Sequence, residues 1–255
     1  MSSRGRSLAL LVAFITPLGS ATAGGAQPEA IPKISEFAPA EDLIAQVDFY
    51  LGRIEQSLAT EGDFDPAKQS RTFKDANTLA VLALVLAVHD QPHALRDSAA
   101  GLLASAQRLA AAEDNYQRAS AALSELKAAR AGGAAAAAPV KWEKSASLPA
   151  LMKQVPLIHT ALKRGVEPSR LARQKAPSAG QSAALAAIAQ ASMLDTEYGA
   201  TAADLAEWRA YCAAMRDASG QVNSAVRAGD SARVADGMKR LAQSCDACHA
   251  KFRHP

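Results

Sequence analysis

The chain has 255 residues, of which 49% are hydrophobic, 21% charged and only 5% aromatic, with a formal net charge of +3. Sixty-one alanines beside so few rings exclude a sheet protein, because strands favour Val, Ile, Thr and aromatic residues, and they suit close-packed helices, alanine being the best helix former. So small a charge gives little support to nucleic-acid binding, and three cysteines are too few for a disulfide scaffold.

Arg4 and Arg6 precede an apolar run from Leu8 to Leu18, and Ala21-Thr22-Ala23 follows. This is the pattern of a signal peptide over residues 1–23 with cleavage after Ala23, and the run is too short to span a bilayer. Export implies an extracytoplasmic protein, most simply periplasmic, with no membrane span after cleavage. Loss of Arg4 and Arg6 would take the charge from +3 to +1. Residues 24–38, rich in Gly, Pro and Ala, read as a flexible leader.

From Glu41 the helical period begins, with Leu43, Val47, Tyr50, Leu51, Ile54 and Leu58 on one face. A polar turn through Pro66 ends that helix. A second is predicted from about Thr72 to His89, a third opening at Pro92 and a fourth from about Asp114 to Arg130. Residues 131–140, beginning Ala131-Gly132-Gly133, read as an Ala/Gly linker between a helical bundle at 39–130 and a second at 141–255. In the second, Ser147 to Lys163 is a helix with Pro156 as a kink. Ser178 to Gln181 has the form of a capping box, Thr201 caps a third helix, and Asp230 caps the last, Ser231 to about Phe252.

The expected fold is thus all-α, two tandem antiparallel four-helix bundles. They read as a worn duplication. Asp90 aligns with Asp195, while Leu123, Leu126 and Arg130 fall on Met238, Leu241 and Cys245. The first half stops where the second begins its cysteine motif.

That motif is Cys245-Asp246-Ala247-Cys248-His249, the C-x-x-C-H attachment signature of c-type haem. On a helix these three side chains share a face, which Val234, Met238, Leu241 and Phe252 continue. Two thiols can join the two vinyl groups, and His249 can bind the iron. A structural zinc site needs a second ligand pair, and only Cys212 and scattered histidines remain. A thioredoxin-like dithiol would sit in a βαβ context, which this chain lacks.

Ala225-Val226-Arg227-Ala228-Gly229-Asp230, then Leu241, Cys245-Asp-Ala-Cys248-His249 and Phe252-Arg253, resemble the cytochrome c′ family, four-helix bundles with haem near the C-terminus. The resemblance covers about 147–255 and is strongest from 225 onward. It implies one covalent haem c in the second bundle, His249 as proximal iron ligand and Arg253 near the proximal haem face. The first bundle carries no attachment motif, so a second haem is not expected.

In low-spin relatives a methionine near the start of the first bundle helix supplies the sixth ligand, and Met152 stands at that place here. The plainer role for Met152 is packing, as for Met193, Met215 and Met238. His159, seven residues on, offers bis-His ligation or a polar edge to the haem. His89, His93 and His254 read as surface residues, and Cys212 as a buried free thiol. Lys153, Lys163 and Arg164 could pair with haem propionates or face solvent.

A haem with two protein ligands transfers single electrons, whereas one with a single ligand leaves iron open to NO or CO. Electron transfer with an unidentified redox protein is the leading expectation, and gas binding the alternative. A third reading makes the haem-free first bundle an adaptor or dimerisation unit, its apolar run Leu79–Val88 serving an interface rather than a core. A homodimer stays open. No nucleophile–base pair, paired carboxylates or phosphate loop speaks for an enzyme.

Overall fold

The computed structural model describes residues 31–62, 64–112, 114–133 and 139–253. The expected signal peptide and His254 lie outside them. Among the described residues there are eight α-helices, one 3-10 turn and no strand, so the chain is all-helical.

The helices are α1 (Ala40–Ser57), α2 (Pro66–Ala87), α3 (Ala99–Ala110), α4 (Tyr116–Arg130), α5 (Leu148–Gly165), α6 (Lys175–Ser192), α7 (Ala202–Ala228) and α8 (Ser231–Phe252). Thr201 and Asp230 cap α7 and α8 as expected, accepting from the backbone N–H of Asp204 and Arg233. Helix α2 begins six residues earlier than its periodicity predicts. The Asp65 side chain accepts from Lys68 N–H, and Pro66 takes the first turn, where its missing donor costs nothing. Pro92 opens no helix; α3 starts only at Ala99. Ser178 is not a cap either, because α6 begins at Lys175 and buries Ser178 completely.

Two further expectations are corrected. The end of the presumed flexible leader is anchored: Ile34 and Ala38 are fully buried, and Ser35 donates through N–H and Oγ to Asp90. His89 is buried, not superficial. Its Nδ1 accepts from Gln91 N–H at 3.1 Å, so Nε2 carries the proton and donates to Ala38 O, also at 3.1 Å.

Within residues 39–130, α1 packs on α2, α2 on α3, α3 on α4, and α4 returns to α1. Within 141–253, α5 packs on α6, α6 on α7 and α7 on α8. The core does not divide at 131–140, and residues from Pro32 onward form one compact unit. Helices α1 and α2 lie against α6, and α2 also against α5. This explains why the later part of α2 and most of α6 are enclosed on all sides: Asp75–Leu86 and Ser182–Met193 are buried without a break. The Leu79–Leu86 run is therefore core.

Burial follows the same register in both halves. The seven buried positions of α1, from Asp42 to Ser57, each find a buried counterpart in α5 108 positions later, including Leu43 with Leu151, Gln46 with Gln154 and Ile54 with Leu162. Ala119, Ala122, Leu126 and Ala129 of α4 correspond to Val234, Gly237, Leu241 and Ser244 of α8, 115 positions later, all buried.

Where the halves meet, α1, α2 and α5 enclose a polar network. Gln154 Nε2 donates to Tyr50 Oη at 3.1 Å and to Asp75 Oδ1 at 3.2 Å. Arg53 Nε stands 3.1 Å from Asp75 Oδ2 without hydrogen-bond alignment, so that pairing is purely electrostatic. Burial outweighs the arginine and pushes the Asp75 carboxyl up to about 6. Since the folded-state value is the higher one, the folded chain holds the extra proton between about pH 4 and 6, and this group's contribution to stability falls as pH rises through that window. Urea unfolding should therefore show Asp75→Asn gaining about 2–3 kcal/mol over the parent chain between pH 4 and 7; parallel stability curves would contradict this.

Candidate haem site

The last helix carries Cys245, Cys248 and His249 in its final turns. Asp230 starts α8, and Gly237 lets it lie close on α7, since a Cβ there would stand 2.8 Å from Val222 Cγ2. The expected stripe is graded rather than uniformly inward. Val234, Leu241 and Phe252 are buried, Met238, Cys245 and Cys248 half-buried, and His249 exposed. The motif thus lies at the border of the core, with the imidazole outside it. Arg253 is also exposed, just past the helix end, its N–H donating to His249 O.

Helix α5 provides the opposite wall. Met152 and His159 are both half-buried and two turns apart, hence on nearly one face. The structure brings Met152 and Cys248 into one apolar cluster with Leu148, Met193, Trp208, Cys212 and Phe252. Two turns along, His159 and Lys163 of α5 line a groove of about 290 Å³ with Val234, Met238 and Ala242 of α8. The start of α5 therefore faces the end of α8, and the two run antiparallel. Yet they are not closely packed, unlike every sequence-adjacent pair in this half.

The corresponding seam in the first half is closed. Arg130 of α4, at the register position of Cys245, makes two hydrogen bonds to the Asp48 carboxylate of α1, the longer 2.9 Å. Lys127 pairs with Glu55 at 2.8 Å. At the positions corresponding to this second pair stand Ala242 and Lys163, which cannot pair and which line the groove instead. Met152 and His159 correspond to Ile44 and Leu51, so no ligating side chain stands at those positions of the first half.

The electrostatics disfavour thiolate chemistry. Burial raises the Cys245 thiol above its ordinary value, and burial followed by the neighbouring Cys245 pushes Cys248 up to about 11. Cys212, buried, is raised further, mainly by burial. A redox dithiol needs the opposite shift. Among the described residues no three His, Cys, Asp or Glu side chains are grouped to hold a metal ion. His159 is held below its usual value by burial and then by Lys163, and its buried Nε2 has no hydrogen-bond partner. Of the other basic candidates, Lys153 and Arg164 are exposed to solvent.

Two half-buried thiols one turn apart, a thioether opposite, an unpartnered imidazole and an unclosed apolar seam are suited to a large, flat, mostly apolar group with two reactive vinyls. Sequence reasoning missed the aromatic surroundings. Tyr198 stacks on Trp208 at 5.4 Å, and Phe252 meets Trp208 and Tyr211 edge-on at 5.4 and 6.0 Å. Four of the chain's twelve aromatic residues thus collect beside Cys248, and their crowding into residues 198–252 was the available signal. Outside this cluster, Glu207 accepts from Tyr211 Oη and pairs with Lys251, joining α7 to the end of α8.

No family model, curated protein or solved structure matches the chain.

In the haem-free chain, alkylation of Cys248 by iodoacetamide should rise about tenfold per pH unit up to about pH 10, with Cys212 unreactive until unfolding. A plateau by about pH 9, as for an ordinary thiol, would contradict the environment described.

Proposed function

We propose that this chain is an exported c-type cytochrome that transfers single electrons through one haem held in the α5–α8 seam. The observation that carries the reading is the contrast between the two halves. The α1–α4 seam is clasped by Arg130–Asp48 and Lys127–Glu55, whereas the α5–α8 seam, in matching register, is left unclosed, its groove lined by His159 and Met238, with Met152 and Cys248 in the apolar cluster two turns along.

In this reading Cys245 and Cys248 hold the group by two thioether bonds, each thiol adding sulfur to one vinyl carbon and hydrogen to its neighbour. His249, exposed and next to Cys248, is free to turn its imidazole to the iron, and Arg253 lies one turn beyond it. Met152, in the same apolar cluster as Cys248, is the sixth-ligand candidate. Bound haem supplies iron cycling between ferric and ferrous states. The protein's part would be to exclude water with Leu148, Met193, Trp208 and Phe252, and to hold the iron through His249 with Met152 as the further candidate ligand, which would govern the potential. The two four-helix units, the signal peptide and the periplasmic location belong to the same proposal. The redox partner is a protein of unidentified kind. No helix of the described residues is long and apolar enough to cross a membrane.

Met152 decides between electron transfer and gas binding. The visible spectrum of periplasmically expressed protein should be six-coordinate and low-spin, unaltered by CO. Met152→Ala should turn it five-coordinate and CO-binding. A parent protein already high-spin and CO-binding would favour the gas-binding module, and a parent without haem would sink the proposal.

A further inference from the structure

The contacts between the halves exchange into one another. Replacing each first-half helix by its counterpart turns α1 on α6 into α5 on α2, and leaves α2 on α6 unchanged. The relation extends to residues. Gln46 of α1 presses its amide on Gly180 of α6, where a Cβ would lie 2.6 Å from Nε2. Gln154, 108 positions after Gln46, places its amide on Asp75 of α2, 105 positions before Gly180. The segments leading into the halves behave alike. Phe37 lies so near Gly220 of α7 that a Cβ there would stand 2.8 Å from Phe37 Cβ, while Ser145, 108 positions after Phe37, accepts from Gln107 of α3.

Contacts in which i meets j and the counterpart of j meets the counterpart of i define a two-fold, isologous interface, the kind two identical subunits make. Here the two partners are halves of one chain. The interface is well made: an unbroken alanine-rich core, the Tyr50–Gln154–Asp75 network, and Asn223 Nδ2 donating to Asp42 at 2.8 Å.

We infer that the first half is a built-in partner of the second: it permanently covers the α5–α6 face by which the cysteine-bearing half would pair with a second copy, so the whole chain is a monomer. This bears on the adaptor reading, because the α1–α2 face that would recruit another protein is already spent within the molecule. The inference does not depend on haem.

The test uses the full chain with residues 134–138 replaced by a specific protease site. Before cleavage, sedimentation should give a monomer at micromolar concentration. After cleavage, fragments should sediment as one 1:1 pair. Gly180→Leu, which adds bulk against Gln46, should weaken that pair by about tenfold or more. An intact-chain dimer, fragments that part, or second-half homodimers formed on cleavage would each overturn the inference, as would unchanged pairing by Gly180→Leu. Should that variant fail to fold, Gln154→Leu, which strands Asp75, replaces it with the same expectations.

Discussion

The meeting of α2 with α6 is the constraint on which the rest of the molecule depends. The C-terminal part of α2 and most of α6 are surrounded, so both are largely apolar there, and both are placed where three or more neighbours converge. Small side chains make this feasible. Ala179, Ala183, Ala184, Ala186 and Ala187 let α6 approach α1, α2, α5 and α7 together, and Gly180 lets it approach the Gln46 amide. Polar groups trapped in the junction must then find partners inside it. Tyr50, Gln154 and Asp75 largely do so, at the cost of a carboxyl whose pKa burial raises to about 6.

With the interior so occupied, chemistry is confined to the outside of the pair, where α8 lies away from α2 and α6. The α1–α4 and α5–α8 seams, in matching burial register, differ there. In the first half, charge closes the seam. In the second, the charged pair is missing, and sulfur and imidazole replace it. A bundle poor in rings gathers its aromatics at this end, around Cys248. The proposed haem would cover apolar surface that the side chains leave open at this seam.

How much of this was legible depended on whether a feature was local. Thr201 and Asp230 announced their helices because capping is a matter of four consecutive residues. Ser178 misled because a capping-box pattern inside α6 looks the same as one at its start, and tertiary burial decided the matter. His89 looked superficial beside Pro92, yet its environment comes from Ala38, fifty-one residues away. The single core was hidden for the same reason. The apolar run Leu79–Leu86 of α2 fits an isolated bundle or a shared centre equally well, and only the partner α6 distinguishes them. Within the site, the register of Arg130 with Cys245 was readable, but its pairing with Asp48 was not.

The central claim is that the unclosed seam holds one covalent haem on Cys245 and Cys248. It is tested most directly by the denatured mass of chain exported from cells competent for c-type cytochrome maturation. The account predicts a mass higher by one haem, with no second addition, and its loss in a Cys245→Ala, Cys248→Ala double variant. An unmodified mass under those conditions, or an adduct that survives in the double variant, would contradict it.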